Sequence, residues 1–170
     1  MILMKKSCIF CQIAKTKSPN KVYIIKNRYF VSIFEQFAVN PGHSTIIPRR
    51  HINSILDLDL QEWKILLPTT MEVVKIIEKT NFKELYELLL QKPISAASKW
   101  YCSRMLNHFA LTKKPDGYNY GVNEDEAAGQ TIKHLHLHVI PRYNGDIEDP
   151  TGGVRNVIPE LGNYKKIYLK

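Results

Sequence analysis

The chain has 170 residues, of which 44% are hydrophobic and 24% charged. This composition excludes disorder and fibrous repeats, and the length fits one domain, residues 1–170, able to bury its own core. Lys and Arg outnumber Asp and Glu by 24 to 16, and the resulting +8 charge favours a polyanionic partner: nucleic acid, anionic lipid or a phosphorylated small molecule.

Three cysteines are too few for a secreted disulfide framework, so a reducing cytoplasm is expected. No apolar run approaches the roughly 20 residues of a membrane span. The opening MILMKKSCIF has too short an apolar stretch before Lys5 for a signal-peptide core.

The first part reads as strands. Val22–Ile25 and Tyr29–Phe34 are β-branched and aromatic runs around the polar turn Lys26-Asn27-Arg28. Asn40-Pro41-Gly42-His43 signals a turn, and Ser44–Ile47 a short strand ended by Pro48. The middle reads as helix. Asp59 with Glu62 forms a capping box, and Trp63, Leu66, Thr70, Val73, Val74 and Ile77 follow at helical spacing. Pro68 predicts a kink or restart. A second helix is expected over Phe82–Leu90, ended by Pro93, and a third from a Ser95 cap to about Leu111. Strands resume at Tyr118–Val122 and Ile132–Ile140, and the Gly- and Pro-bearing tail from Asn144 on (about 144–170) reads as irregular. Strands, helices, strands is an α+β order, with an antiparallel sheet and a long central helix.

The densest chemical signal is His134-Leu135-His136-Leu137-His138-Val139-Ile140. On a strand, period-two alternation places three imidazoles on one face and Leu135, Leu137 and Val139 on the other. Such a face suits two chemistries: a metal on neutral imidazoles, or nucleophilic attack on phosphorus by one histidine that its neighbours orient. The surroundings favour phosphorus. Gly129-Gln130-Thr131 upstream offers an amide, a hydroxyl and backbone donors, and Arg155 downstream offers a fork that fits phosphate. Cys8-Ile9-Phe10-Cys11 is a separate signal; alone it reads equally as buried thiols, a redox pair or half a metal site. Cys102 reads as a small buried hydrophobe.

Residues 134–140 match the histidine–apolar–histidine–apolar–histidine–apolar–apolar pattern, and the chain resembles the histidine-triad family of nucleotidyl hydrolases and transferases. Pro41-Gly42-His43-Ser44-Thr45-Ile46-Ile47-Pro48, Asp116–Asn123 and Ala127–Thr131 resemble the family's other segments. The resemblance implies a two-step mechanism. His136 takes the nucleotidyl group, His138 touches phosphate and passes a proton to the leaving group, and His134 supports the nucleophile or binds zinc. It places His43 near sugar or phosphate, Glu35 on the ribose hydroxyls, and Asn123, Gln130 and Thr131 near phosphate or leaving group. A subfamily with the same cysteine pair holds a structural zinc, which implies Cys8, Cys11, His51 and His134 as ligands.

The activity implied is hydrolysis of a dinucleoside polyphosphate such as diadenosine tetraphosphate. A phosphorylase, a nucleoside phosphoramidate hydrolase and a nucleotide-binding regulator stand as alternatives. The family also implies a homodimer. About residues 81–113 this chain carries an insertion that reads as a helical hairpin: extra packing, a lid or an altered subunit interface. No basic run is interleaved with aromatics, which argues against a nucleic-acid partner.

Overall fold

The computed structural model describes residues 8–16 and 22–165, so the opening residues and the last residues of the tail lie outside the described part. The chain is α+β, as expected. Helix α1 (Ile9–Lys15) leads to strands β1 (Tyr23–Lys26), β2 (Phe30–Phe34) and β3 (Ser44–Pro48). Helices α2 (Leu60–Ile77), α3 (Phe82–Gln91) and α4 (Ala96–Leu106) follow, then β4 (Gly117–Gly121), β5 (Leu137–Arg142) and the single-turn α5 (Pro159–Gly162). The five strands form one antiparallel sheet in the order β1-β2-β3-β5-β4.

Local chemistry sets these elements. Asn27 Oδ1 accepts from the backbone N–H groups of Tyr29 and Phe30, closing the β1–β2 turn. The capping box of α2 forms as the sequence predicts: Asp59 accepts from Gln61 and Glu62, and Glu62 accepts back from Asp59. Asn81 and Ser95 cap α3 and α4.

Period-two alternation divides the sheet into two faces. Phe30, Phe34, Ile46 and Val139 pack with Val73 and Ile77 of α2 and with Phe82, Leu85, Tyr86 and Met105 of the α3–α4 hairpin. Val31 and Ile47 pack on the other face with Phe10 and Ala14 of α1. Thr45 pairs with His138 in register, which puts His138 on the α1 face.

Four expectations are corrected. Helix α2 continues through Pro68 with no restart. That residue is exposed, so the Lys64 carbonyl that loses its donor lies on the solvent side. The third helix stops at Leu106, where a turn ties Leu111 back to His108. The tail is only partly irregular, holding a 3-10 turn at Gly153–Val157 and α5. The histidine segment is strand only from Leu137, so His134 and His136 precede β5.

Residues 81–113 form the expected helical hairpin, which packs on the core through Phe82, Leu85, Tyr86, Leu89, Cys102 and Met105. It also grips the β2–β3 loop. The Gly42 N–H donates to Tyr86 Oη at 3.0 Å, and a Cβ on Gly42, whose φ is +82°, would fall 2.6 Å from the Phe82 ring.

Candidate functional site

The site lies where β3, β5 and the segment before β5 meet α1. The His136 ring is 4.9 Å from that of His138, nearly perpendicular to it, and 5.1 Å from Phe10. His134 is on the same α1 side, its ring 5.9 Å from that of Phe10. It is fully buried and turned toward Cys8, Cys11 and His51. The three imidazoles thus lie on the α1 side, opposite Leu135, Leu137 and Val139 in the core, with His134 directed to the cysteines and His136 and His138 to the open site.

Hydrogen bonds fix which nitrogen of each ring carries its proton. His136 Nδ1 lies 2.8 Å from the His134 carbonyl oxygen, which only accepts. The His136 proton is therefore on Nδ1, and Nε2 keeps its lone pair. The Val39 N–H donates to His43 Nδ1 at 3.4 Å, so the His43 proton is on Nε2. That nitrogen is 3.1 Å from His138 Nδ1, which must accept, leaving the His138 proton on Nε2. Adjacent imidazoles thus carry opposite tautomers: His136 offers a lone pair and His138 offers a proton. Burial, and secondarily the neighbouring His138, pushes His43 down to about 3. Burial and then His136 push His138 down to about 4. Both rings are neutral at pH 7, and an anion arriving beside His138 would raise its pKa.

Glu35 follows β2 and accepts from Thr45 Oγ1. Burial raises its pKa, against the opposing effects of the Thr45 bond and of His136. It opens on an apolar cavity of about 370 Å³, lined among others by Ile9, Phe10, Ile13, Phe34 and Ile132. Phe10 belongs to both the cavity wall and the surroundings of His136, so the cavity adjoins the histidines.

Cys8, Cys11, His51 and His134 bring their ligand atoms within 4.8 Å of one another. The S···N distances are 3.4 Å (Cys8–His134), 3.2 Å (Cys11–His51) and 3.6 Å (Cys11–His134). Tetrahedral zinc bonds imply an S···N edge of about 3.5 Å, so this donor set fits the ion. His134 Nε2 donates to the Pro48 carbonyl at 2.9 Å, which leaves Nδ1 as the ligand atom, as an orienting partner behind a metal site does. Burial chiefly, against the Pro48 bond, lowers its pKa to about 4, so that nitrogen is unprotonated at pH 7.

The other sequence candidates are placed differently. Gln130 is buried and engaged in its loop: Oε1 accepts from Asp125 N–H and Nε2 donates to the Asn53 carbonyl. It is a loop staple. Thr131 is exposed and Asn123 half-buried in the segment leading to the histidines. Arg155 lies over the Tyr164 ring. Its 3-10 turn borders the Gly117 and Arg142 end of β4–β5, the end away from His138, so the structure does not bring it to the histidines.

Sequence reading missed Thr45, Phe10 and the carbonyl of Pro48. Thr45 and His138 are 93 positions apart, and only strand register joins them. The apolar spacing of Ile9, Phe10, Ile13 and Ala14 was the available signal for α1.

The HIT domain model matches residues 16–145, and the chain belongs to the HIT domain family. It is similar to an uncharacterized HIT-like protein of Mycoplasma genitalium, 30% identical over 81% of this chain and 74% of that one. An AP-4-A phosphorylase of Mycobacterium tuberculosis is 24% identical over 89% of this chain and 63% of its own length. A bis(5'-nucleosyl)-tetraphosphatase (asymmetrical) of Schizosaccharomyces pombe is 26% identical over 76% and 53%. Among solved structures, a HIT family protein of Bacillus anthracis superposes with a TM-score of 0.57 at 21% identity, covering 98% of this chain and 97% of that one.

Proposed function

We propose that the chain hydrolyses a phosphoanhydride of dinucleoside polyphosphates, such as diadenosine tetraphosphate, through a nucleotidyl group held covalently on His136. The observation that carries this reading is the pair of opposite tautomers. His136 Nε2 attacks the α-phosphorus, a P–N bond forms, and the P–O bond to the nucleoside polyphosphate breaks; the leaving oxygen takes a hydrogen bond from His138 Nε2–H and departs as an anion. Water then attacks the same phosphorus and loses a proton to solvent, and the P–N bond breaks to return His136 Nε2 with its lone pair. Glu35 accepts from the ribose hydroxyls, and Asn123 and Thr131 flank the phosphate chain from the preceding loop. The relatives that act on AP-4-A and bis-nucleosyl tetraphosphates support the substrate class.

Cys8, Cys11, His51 and His134 would hold a structural zinc that pins the segment carrying His136. Three cysteines outside any disulfide suit a reducing cytoplasm. None of the described helices is long and apolar enough to cross a membrane. The chain assembles as a homodimer through the exposed apolar side of α2 and edge strand β4.

A phosphorylase would differ only in the second nucleophile, orthophosphate in place of water, and the Mycobacterium relative favours keeping that reading. Diadenosine tetraphosphate incubated with and without orthophosphate tests both: AMP with ATP marks hydrolysis, ADP with ATP marks phosphorolysis. Adenosine phosphoramidate in the same panel tests cleavage of a P–N bond. Wild type quenched in turnover should carry a nucleotidyl adduct on His136, absent from His136→Asn. Absence of turnover and adduct with every substrate would overturn the reading.

A further inference from the structure

The inserted hairpin reaches the apolar cavity beside Glu35. Ile94, in the connection between α3 and α4, lines that cavity together with Ile9, Phe10 and Ile132. It is 69% exposed, as are Ile9 and Phe37 in part, so the cavity has an apolar rim open to solvent. The hairpin is tied to the segment after Glu35 in three ways, one from the connection and two from α4. The Ile94 N–H donates to Gln36 Oε1 at 3.3 Å, Cys102 Sγ donates to the Gln36 carbonyl at 3.6 Å, and the Tyr101 and Phe37 rings meet edge to face at 5.7 Å.

The first of these bonds has a chemical consequence. A backbone N–H only donates, so the Gln36 amide must present its oxygen to Ile94. Its NH2 group is then the part left to the cavity that Gln36 lines. The cavity therefore offers apolar walls, one amide donor held by the hairpin, and the Glu35 carboxyl toward the histidines. Its volume of about 370 Å³ is near the low end of small-molecule sites, roughly 300–1,000 Å³, and suits one nucleoside but not a whole dinucleotide.

We propose that the inserted hairpin completes the nucleoside subsite: Ile94 closes the outer wall over the face of a purine base, and Gln36, oriented by Ile94, donates to an acceptor on its edge. The inference rests on the nucleotide reading above and adds to it a role for the insertion in base recognition. Apolar walls take the flat base without discrimination, whereas a fixed donor rejects an edge that offers no acceptor.

The test compares binding of AMP, GMP and ribose 5-phosphate, followed by NMR titration, in wild type and three variants. Gln36→Glu keeps an oxygen for the Ile94 N–H but removes the donors. Ile94→Asp puts a charge on the wall, and Ile94→Ser is a milder change at the same exposed position. Glu87→Gln on the solvent side of α3 is the control. Gln36→Glu should weaken AMP and GMP about five-fold or more relative to ribose 5-phosphate, the scale of one lost hydrogen bond. Ile94→Asp should weaken them about ten-fold on the same comparison. The probe without a base corrects for repulsion of the phosphate by the new carboxylates. Equal loss for all three probes, or none, in variants that melt like wild type overturns the inference and leaves the nucleotide reading intact. Wild-type protein that binds ribose 5-phosphate as tightly as AMP also overturns it. Wild type that binds none of the three overturns both.

Discussion

His43 Nε2 lies 3.1 Å from His138 Nδ1, and the Val39 N–H lies 3.4 Å behind it on His43 Nδ1. A backbone donor thus sets the proton position on one imidazole, which sets it on the next. The outermost nitrogen in this chain, His138 Nε2, is left protonated beside the lone pair of His136. His43 is held in place from outside the site: the turn before it is anchored by Tyr86 to Gly42 and by Tyr143 to the Pro41 carbonyl.

His43 is therefore a positioning residue, and its loss should show in how His138 stabilises the leaving group. His43→Phe keeps a ring but loses the bond to His138. We expect kcat with diadenosine tetraphosphate to fall about 10²-fold with little change in KM, the lower end of what one donor to a developing anion contributes. With the p-nitrophenyl ester of AMP, whose leaving anion needs less stabilisation, the loss should shrink to a few-fold. Equal losses on both substrates would show that the ring only fills space.

The same histidine predicts a pH dependence of stability. Its folded pKa, about 3, is below the ordinary value of 6.5, so the unfolded chain binds the proton more readily. The stability it contributes is fully present above pH 6.5 and is lost as pH falls from there toward 3. Between pH 7 and 5.5 this amounts to about 1 kcal/mol for His43, which is almost fully buried. Urea denaturation at the two pH values should show a drop in wild type that is smaller in His43→Gln by that amount. An unchanged difference would mean that protonation of His43 is not what the fold excludes.

The metal prediction is stoichiometric. Freshly purified protein should contain one zinc per chain, and Cys11→Ser should lose it and melt well below wild type, because ion binding contributes to folding free energy. Removal should also loosen the segment before β5, where His134 supplies both a ligand nitrogen and the carbonyl that orients His136. A kcat that falls along with zinc content, and recovers when zinc is restored, would bear out this coupling. Zinc-free protein with wild-type melting and turnover would remove it.

Much of this site was legible because its signals are local. The capping box at Asp59 and Glu62, the turn at Pro41-Gly42-His43 and the residue types at 134–140 are each readable within a few positions. What escaped depends on residues far apart in sequence. Alternation puts His134 on the side of His136 and His138, but only the approach of α1 decides that it meets Cys8 and Cys11 rather than phosphate. Gln130 reads as a phosphate contact by position, yet its amide is engaged by Asp125 and Asn53. The His43–His138 pair follows from the β3–β5 register, which no local pattern specifies. Pro68 signalled a break because propensity counts the lost hydrogen bond, whereas packing of Leu66, Val73 and Ile77 on the core holds the helix together.

The last prediction concerns assembly. Trp63, Leu67 and Met71 of α2 are 45%, 67% and 54% exposed, and with Tyr120 and Leu137 they line an apolar groove of about 710 Å³. A contiguous apolar surface of this kind marks an interface. Strand β4 beside it is an edge of the sheet, with backbone groups on one side open to a further strand. A two-fold axis there would set α2 against its own copy and β4 antiparallel to its own copy, with the same patch used by both chains. Helices α3 and α4 pack against the core and β2–β3 loop, and no residue of theirs lines the groove, so this hairpin leaves the surface open. Leu67→Asp places a charge in the middle of the groove on a side chain that contributes little to the core. Wild type should sediment with twice the chain mass and Leu67→Asp as a monomer, with the monomer still folded by circular dichroism. A wild-type protein that sediments as a monomer at tens of micromolar would overturn the dimer and leave the groove without this role.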